Sequence, residues 1–189
     1  ALIGAAAIQM GNYYGLPTSV GAGMTDSKIP DAQYGIEKAM TFMLAAHAGA
    51  NRICEFGGMM GSLMGCSFES MVIDNEIGGM ILRSLRGIEV NQETMAVEII
   101  HQCAIDPGHF LGNAHTLEYM NSEFLYPKLM DRERTDTWEK EGKTELFQRA
   151  TTSAQQILNN HFPNYFGSLD EQVRREFPII LSKEKMFNT

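Results

Sequence analysis

The sequence reads Thr18-Ser-Val-Gly-Ala22 and, further along, Asn51-Arg-Ile-Cys-Glu-Phe56, and each of these short segments predicts a β-strand. Between them, Asp31 can cap a helix that runs to about Ala48. Two strands joined by one helix form a βαβ unit, in which the strands are parallel and the crossover is right-handed. Parallel strands are buried on both faces, so this pair requires further strands from upstream sequence or from another chain. The predicted fold class is therefore α/β.

The rest of the chain is predicted to be helical. Ala1 to Tyr14 reads as the end of a buried helix, and because the chain begins inside it without a methionine, we expect further sequence upstream. A helix that Ser67 caps and Gly87 ends follows the second strand. From residue 91 onward only helices are predicted, roughly Gln92 to Cys103, Thr116 to Phe124, Thr137 to His161 and Leu169 to Phe177. Two segments fit the capping-box spacing, Asp136-Thr-Trp-Glu139 and Ser168-Leu-Asp-Glu171.

The helix that Asp31 caps carries an apolar stripe on one face. Its members are spaced at helical intervals and are Ile36, Met40, Met43, Leu44 and His47. Such a stripe predicts the buried face of the helix, and within it we expect His47 to be a hydrogen-bonded core residue.

Composition limits the partners and the compartment. Fifteen Lys and Arg stand against 23 Asp and Glu, a net charge of −8, and so acidic a surface repels nucleic acid and anionic lipid. No apolar run approaches the roughly 20 residues that a membrane-spanning helix needs. The three cysteines, an odd and sparse set, indicate a reducing cytoplasm. An open strand edge and an exposed apolar interior lead us to expect a homo-oligomer.

Chemistry is expected in the two loops that follow the strands, Gly21 to Asp31 and Glu55 to Cys66, because ligands of parallel α/β folds bind at that edge. Alternation along the second strand directs Cys54 and Phe56 toward the helices and leaves Ile53 and Glu55 inside. Glu55 is then an acid at the inner mouth, although a structural ion pair with Arg52 is an open alternative. The same alternation turns two small residues of the first strand inward, Ser19 and Gly21.

The first loop contains Thr25, Asp26 and Lys28, which either orient a polar ligand or form a solvated turn at the start of the helix. Glycine pairs in both loops complete neither a dinucleotide fingerprint nor a P-loop. No metal site is expected, because the spacing fits no standard zinc site among four candidate ligands, His101, Cys103, His109 and His115.

Several runs of sequence together resemble the trimethylamine methyltransferase family. The first part of the chain contains Asn12-Tyr-Tyr-Gly-Leu-Pro17, Thr25-Asp-Ser-Lys-Ile-Pro-Asp-Ala-Gln33 with Glu37-Lys38, Ala48-Gly-Ala-Asn51, Val72-Ile-Asp-Asn-Glu-Ile77 and Arg86-Gly-Ile-Glu-Val90. The tail adds Gly108-His-Phe-Leu-Gly112, His115-Thr-Leu and Glu123-Phe-Leu. The runs occur in the same order over nearly the whole chain, which makes the resemblance more specific than any single motif.

The resemblance implies a (β/α)8 TIM-type barrel, of which this chain is the C-terminal part. Residues 1–90 are expected to be about two βα units, the last of the barrel, and residues 91–189 a helical C-terminal region that packs on it. We expect the isolated piece to be inactive. Trimethylamine-specific members use pyrrolysine in the later part of the barrel, whereas every residue here is standard. If that position lies in this segment, glycine betaine and related quaternary amines are favoured as substrates.

The resemblance also implies methyl transfer from a methylated amine to the Co(I) of a corrinoid that a small partner protein carries. Co(I) is the nucleophile in that reaction, so no protein side chain is required as a catalytic group. The enzyme instead holds the cation with aromatic faces and carboxylates. From their chain positions, we expect substrate binding by Glu55, Phe56, Asp26, Lys28 and Thr25. An apolar wall that meets the corrinoid is expected from Gly57, Gly58 and Met59.

Two other functions are compatible with the sequence. A barrel enzyme of another class, such as a lyase, would bind a carboxylate or a phosphate through Lys28 and the glycine loops. A non-catalytic helical module would instead dock on a corrinoid protein.

Overall fold

The structure is a computed structural model that describes residues 1–106, 108–161 and 168–177. The chain divides into two compact units, Ala1–Ala154 and Gln155–Thr189. The described elements begin with α1 (Leu2–Tyr13), β1 (Ser19–Gly21), α2 (Ala32–His47), β2 (Arg52–Cys54), β3 (Met59–Met60), β4 (Gly65–Cys66) and α3 (Phe68–Arg86). They continue with α4 (Gln92–Met95), α5 (Val97–Ile105), α6 (Ala114–Glu123), α7 (Thr135–Lys140), α8 (Leu146–Asn160) and α9 (Ser168–Glu176).

Strands β1 and β2 are parallel neighbours, with Val20 opposite Ile53 at the centre of the register. Both central residues are β-branched, which suits an extended backbone. The Asn51 side chain extends the pairing by one position, because its Oδ1 accepts from the Thr18 N–H at 2.8 Å. The predicted βαβ unit and the α/β class are confirmed. A two-stranded sheet does not show closure, so the barrel stays a prediction.

Helix ends follow the predicted capping chemistry in the first part of the chain. Asp31 accepts from the Tyr34 N–H at 2.9 Å at the start of α2, and this hydrogen bond, with one from the Ser27 hydroxyl, holds the pKa of the Asp31 carboxyl below its usual value. Ser67 accepts from the Ser70 N–H at 3.1 Å at the start of α3. Gly87 ends α3 with φ of 72°. The predicted ends of these two helices are thus confirmed.

The predicted buried face of α2 is wrong. Ile36 is 59 % exposed and Met40 57 %, while the buried residues are Tyr34, Lys38, Ala45 and Ala46. His47 is also exposed, with its Nε2 2.9 Å from the Ser84 Oγ. Periodicity failed here because a lysine belongs to the buried face and marks that face as polar in the sequence.

Two hydrophobic clusters hold the first unit together. One lies between α1, β1 and α2 and is built on Ile8, Ala22 and Ala45. The other joins α2, β3, α3 and α8 and is built on Tyr34, Ala46, Met60, Ile73, Ile77, Ile81, Leu129 and Ala150. Helix α2 contributes to both clusters, and Ile53 of β2 packs against both of them.

In the described residues after α3 the regular elements are helices, as predicted, but two of the predicted helices are each broken. Ala96 adopts a left-handed backbone with φ of 48° between α4 and α5, and Lys143 does so with φ of 55° between α7 and α8. The predicted capping box at Asp136 is also wrong, because α7 begins at Thr135 and Asp136 pairs with Arg134 at 3.1 Å. The side chain of Ser168, in the other predicted box, lies outside the described residues.

Helix α3 anchors the segment that follows α6. The Glu76 carboxylate accepts from the backbone N–H groups of Lys128, of Leu129 at 2.8 Å and of Met130 at 2.9 Å. At its other end, Arg83 reaches the Glu123 carboxylate at 2.9 Å. None of the described helices is long and apolar enough to cross a membrane.

Candidate functional site

Both predicted loops lie at the carboxyl edge of the parallel strand pair. We call residues 22–31, after β1, the first rim loop, and residues 55–58, after β2, the second rim turn. Strands β3 and β4 then form an antiparallel hairpin, with Met59 opposite Cys66 and Met60 opposite Gly65. The sequence did not predict this hairpin, because strands of two residues are too short to show alternation.

Glu55 lies on the open face of the sheet, away from the helices. Its Oε2 is 2.7 Å from the point that a Cβ on Gly21 would occupy, so the carboxylate fills space that only glycine leaves free. The backbone at Glu55 is left-handed, with φ of 64°, a conformation that costs a non-glycine residue about 1–2 kcal/mol. No ion pair joins Glu55 to Arg52 among the described residues.

The predicted orientations in β2 are wrong in part. Ile53 packs against the helices, whereas the Cys54 Sγ lies 3.3 Å from the Ser19 Oγ on the open face. Alternation ends at Cys54, and the left-handed Glu55 then returns its side chain to the open face. Glu55 therefore reaches the predicted side by a turn of the backbone rather than by alternation.

Glu37 of α2 holds the first rim loop. Its Oε2 accepts from the Thr25 hydroxyl at 2.6 Å and from the Asp26 N–H at 2.8 Å. These hydrogen bonds, that of Thr25 first, hold the pKa of the Glu37 carboxyl below its usual value. Thr25 is only 3 % exposed, and its hydroxyl also accepts from the Ser27 N–H at 3.0 Å. Thr25 is thus the anchor point of the loop.

The tip of the hairpin is fastened to the first rim loop. Ser62 donates from its hydroxyl to the Asp26 Oδ1 at 2.5 Å, and its backbone N–H donates to the Thr25 carbonyl at 3.1 Å. The Gly61 N–H donates to the Ser27 carbonyl at 2.8 Å. The backbone is left-handed at three successive residues of this tip, Gly61, Ser62 and Leu63.

A buried ion pair holds the second rim turn. The Lys38 Nζ lies 2.6 Å from the Asp74 Oδ2, with both side chains at most 1 % exposed, and it donates to the Phe56 carbonyl at 2.8 Å. The Asp74 Oδ2 also accepts from the Gly58 N–H at 2.6 Å, and its Oδ1 accepts from the Tyr34 hydroxyl at 2.6 Å. The ammonium and the carboxylate thus both hold the backbone of the turn.

Burial perturbs the titration of this network. Desolvation raises the pKa of the Asp74 carboxyl and lowers the pKa of the Lys38 ammonium, against the hydrogen bond that the two groups share. Burial, with the hydrogen bond to Asp74, also raises the pKa of Tyr34, which therefore stays protonated as a donor. Sequence reasoning missed the network; its only signals were Lys38 and Asp74 inside two of the family-like runs.

A cavity of about 450 Å³ opens between α1, the end of β1, the first rim loop and the hairpin tip. Its lining includes Gly21, Met24, Thr25, Asp26, Glu37 and Leu63. Two predicted residues, Thr25 and Asp26, line this cavity together. Glu55 is not among the described lining residues, although its carboxylate lies over Gly21, which is one of them. No aromatic side chain belongs to the described lining.

Other predicted site residues lie elsewhere. Lys28 donates to the Asp26 carbonyl at 2.8 Å and borders a second cavity of about 610 Å³, on the side of Met60 and Phe147. The Phe56 ring packs on Phe42 with 4.3 Å between ring centroids, inside the core. The expected aromatic contact with a cation therefore does not come from Phe56 at this cavity.

The residues predicted to meet the corrinoid differ in exposure. Gly57 is exposed, and no heavy atom lies within 4 Å of the point that a Cβ would occupy. Gly58 is buried, and its N–H is taken by Asp74. Met59 is half-buried in β3.

Comparison with known proteins places these features in a family. A model of the trimethylamine methyltransferase family matches residues 1–185. The chain belongs to this family. The predicted resemblance is confirmed.

Named relatives in this family are about two fifths identical to the chain over the aligned residues. It is 40 % identical over 184 residues to the glycine betaine methyltransferase of Desulfitobacterium hafniense, which covers 97 % of the chain. It is 41 % identical over 186 residues to the trimethylamine methyltransferase MttB2 of Methanosarcina mazei and 38 % identical over 183 residues to the trimethylamine methyltransferase of Methanosarcina barkeri, each covering 96 % of the chain. The chain spans only 36–37 % of the length of these relatives.

Proposed function

We propose that the protein transfers a methyl group from a methylated or quaternary amine, such as trimethylamine or glycine betaine, to a Co(I) corrinoid on a partner protein. Membership of the trimethylamine methyltransferase family over residues 1–185 carries this proposal. The names of two relatives supply the candidate substrates, glycine betaine and trimethylamine. We further propose that residues 1–90 are the last βα units of a TIM-type barrel and that residues 91–189 are its helical C-terminal region.

Two carboxylates at the rim suit a cationic substrate. Asp26 lines the first cavity, where Met24 and Leu63 supply apolar surface for methyl groups, and the Glu55 carboxylate lies over Gly21 at the same edge of the sheet. Two carboxylates attract a quaternary nitrogen, which has no proton to donate and therefore interacts with them through charge rather than through a hydrogen bond. We propose that Glu55 and Asp26 hold the amine at the rim.

For a quaternary ammonium or a protonated tertiary amine, the positive charge is lost during the reaction, because the nitrogen keeps the bonding pair of the broken C–N bond and leaves as a neutral amine. A carboxylate beside that nitrogen therefore stabilises the bound substrate at least as well as the transition state. Its contribution is to binding and orientation, so the removal of Glu55 should raise KM more than it lowers kcat.

The rim fits a corrinoid in part. When bound, the Co(I) corrinoid supplies the nucleophile for the methyl group. Gly57 leaves open space on its exposed side, and Met64, 89 % exposed at the hairpin, offers apolar surface. Gly58 is committed to the fold by its hydrogen bond to Asp74, so Gly57 and Met59 are the members of the predicted set that we retain.

The test uses the intact protein, Co(I) corrinoid and a panel of glycine betaine, trimethylamine, dimethylamine and choline, with methyl transfer followed in the cobalt absorption spectrum. We expect turnover with at least one of the first two amines. In that assay Glu55→Gln should raise the amine KM about tenfold with a smaller change in kcat. Glu139→Gln, in an exposed ion pair, is the matched control and should change neither.

Three results would contradict the proposal in different ways. Unchanged kinetics in Glu55→Gln would remove Glu55 from the site. Binding of a phosphate ester without corrinoid would favour the lyase alternative. Binding of a corrinoid protein without methyl transfer from any amine would favour the docking module.

A further inference from the structure

The second rim turn carries the carboxylate of Glu55, and side chains of α2 and α3 hold its backbone. Lys38 binds the Phe56 carbonyl, and Asp74 binds the Gly58 N–H. These contacts fix one backbone group on each side of Gly57. The Phe56 ring also packs against Phe42, but the ion pair is what holds the backbone of the turn, so it constrains the path of the chain there.

The path of the chain decides which face of the sheet Glu55 occupies. In an extended conformation, residues two apart point to the same side, and Glu55 would then follow Ile53 toward the helices. The left-handed backbone at Glu55, with φ of 64°, sends its carboxylate over Gly21 instead. A non-glycine residue keeps such a backbone only where its surroundings impose it.

We propose that Lys38 and Asp74 are positioning residues that hold the Glu55 carboxylate on the open face, over Gly21, so that it can bind the amine at the rim. Neither side chain is exposed, so neither touches the substrate. A buried ion pair adds little net stability, since apolar residues of similar volume can stabilise a protein as well. We therefore assign to the pair of Lys38 and Asp74 the role of fixing the shape of the turn. Tyr34 helps to hold Asp74 in place, because its hydroxyl donates to the second oxygen of that carboxylate.

The kinetic part of this inference rests on the proposed function, whereas the structural part does not. The principal variant is Lys38→Met with Asp74→Leu, which replaces the pair by apolar side chains and leaves no buried charge. In the crystal structure of the intact variant, we expect Glu55 to leave the left-handed region and its carboxylate to move away from Gly21. A Glu55 that keeps its position over Gly21 would overturn the inference, whether or not the protein transfers methyl groups.

The kinetic measurement separates positioning from general support of the fold. The double variant should raise the amine KM about tenfold, as Glu55→Gln does. Combined with Glu55→Gln it should raise KM no further, because the carboxylate that it positions is already absent. Additive effects on KM would show a merely structural role and overturn the inference.

A control and a milder variant protect the test against loss of folding. Glu76 lies on α3, as Asp74 does, but it holds the segment after α6 rather than the rim. Glu76→Gln should therefore lower the melting temperature without changing KM. Tyr34→Phe keeps both charges and removes one hydrogen bond to Asp74. It should raise KM in the wild-type background and leave it unchanged in Glu55→Gln. Equal changes in both backgrounds would count against positioning.

Discussion

The first rim loop and the second rim turn follow neighbouring strands, lie at the same edge of the sheet and are held by consecutive residues of α2. Glu37 holds the first rim loop through Thr25 and Asp26. Lys38 holds the second rim turn, and it does so together with Asp74. The first anchor is a half-exposed carboxylate with neutral donors, whereas the second is a fully buried ion pair.

The difference in burial between the two anchors determines how much stability is lost when either one is removed. Water can replace a lost hydrogen bond at Glu37, because the carboxylate remains in reach of solvent. It cannot do so between Lys38 and Asp74, where an unpaired charge would remain in the core. Loss of the anchor should therefore destabilise the protein strongly at the second rim turn and only slightly at the first rim loop.

The largest effect is expected from Asp74→Ala. The substitution leaves the Lys38 ammonium buried without its partner and frees the Gly58 N–H, which should destabilise the protein by about 3–5 kcal/mol. Thermal unfolding of the intact protein is the measurement. The exposed pair of Lys143 and Glu139 provides the control, Lys143→Gln, with an expected loss of at most about 0.5 kcal/mol. Equal losses in the two variants would remove the contrast between the anchors.

A smaller effect is expected from Gly23→Ala, at the point where the first rim loop meets the second rim turn. Gly23 has φ of 74°, and an added Cβ would collide with the Phe56 ring. Strain and overpacking together should destabilise the protein by about 1–3 kcal/mol. Gly57→Ala, with open space around the added Cβ, is the matched control for urea unfolding. If Gly23→Ala unfolds at the same urea concentration as the control, the two segments are not in close contact.

The smallest effect is expected from Glu37→Gln, and it should depend on pH. The pKa of Glu37 is lowered in the folded state, so its charged form stabilises the protein fully above the unfolded pKa of about 4.5. That stabilisation is lost as the pH falls through the lowered, folded pKa. The melting temperatures of wild type and variant should therefore differ at pH 7 and converge below pH 4.5. A constant difference down to acid pH would contradict the assignment of the anchor to the carboxylate charge.

The sequence predicted the features that local chemistry controls. The parallel pair followed from two short strands separated by one helix, and the ends of α2 and α3 followed from Asp31 and Ser67, whose side chains bond to nearby backbone. Placement of Asp26 and Glu55 at one edge followed from strand direction alone.

Features that depend on partners far along the chain were not predictable from local pattern. Lys38 and Asp74 are 36 residues apart, and only their meeting makes either side chain compatible with burial. The buried face of α2 was assigned to the apolar stripe for this reason. The face of Glu55 was expected from alternation, but the left-handed turn that places it there is imposed by the same distant pair.

Glu37 and Lys38 are adjacent, and successive side chains on an α-helix diverge by about 100° around its axis. The two side chains therefore reach different rim segments from the same helix. Rotation of α2 about its axis, or a slide along it, must displace the attachments of both segments at once. The segments that carry the two carboxylates, Asp26 and Glu55, are thus attached to the same helix, although they follow different strands.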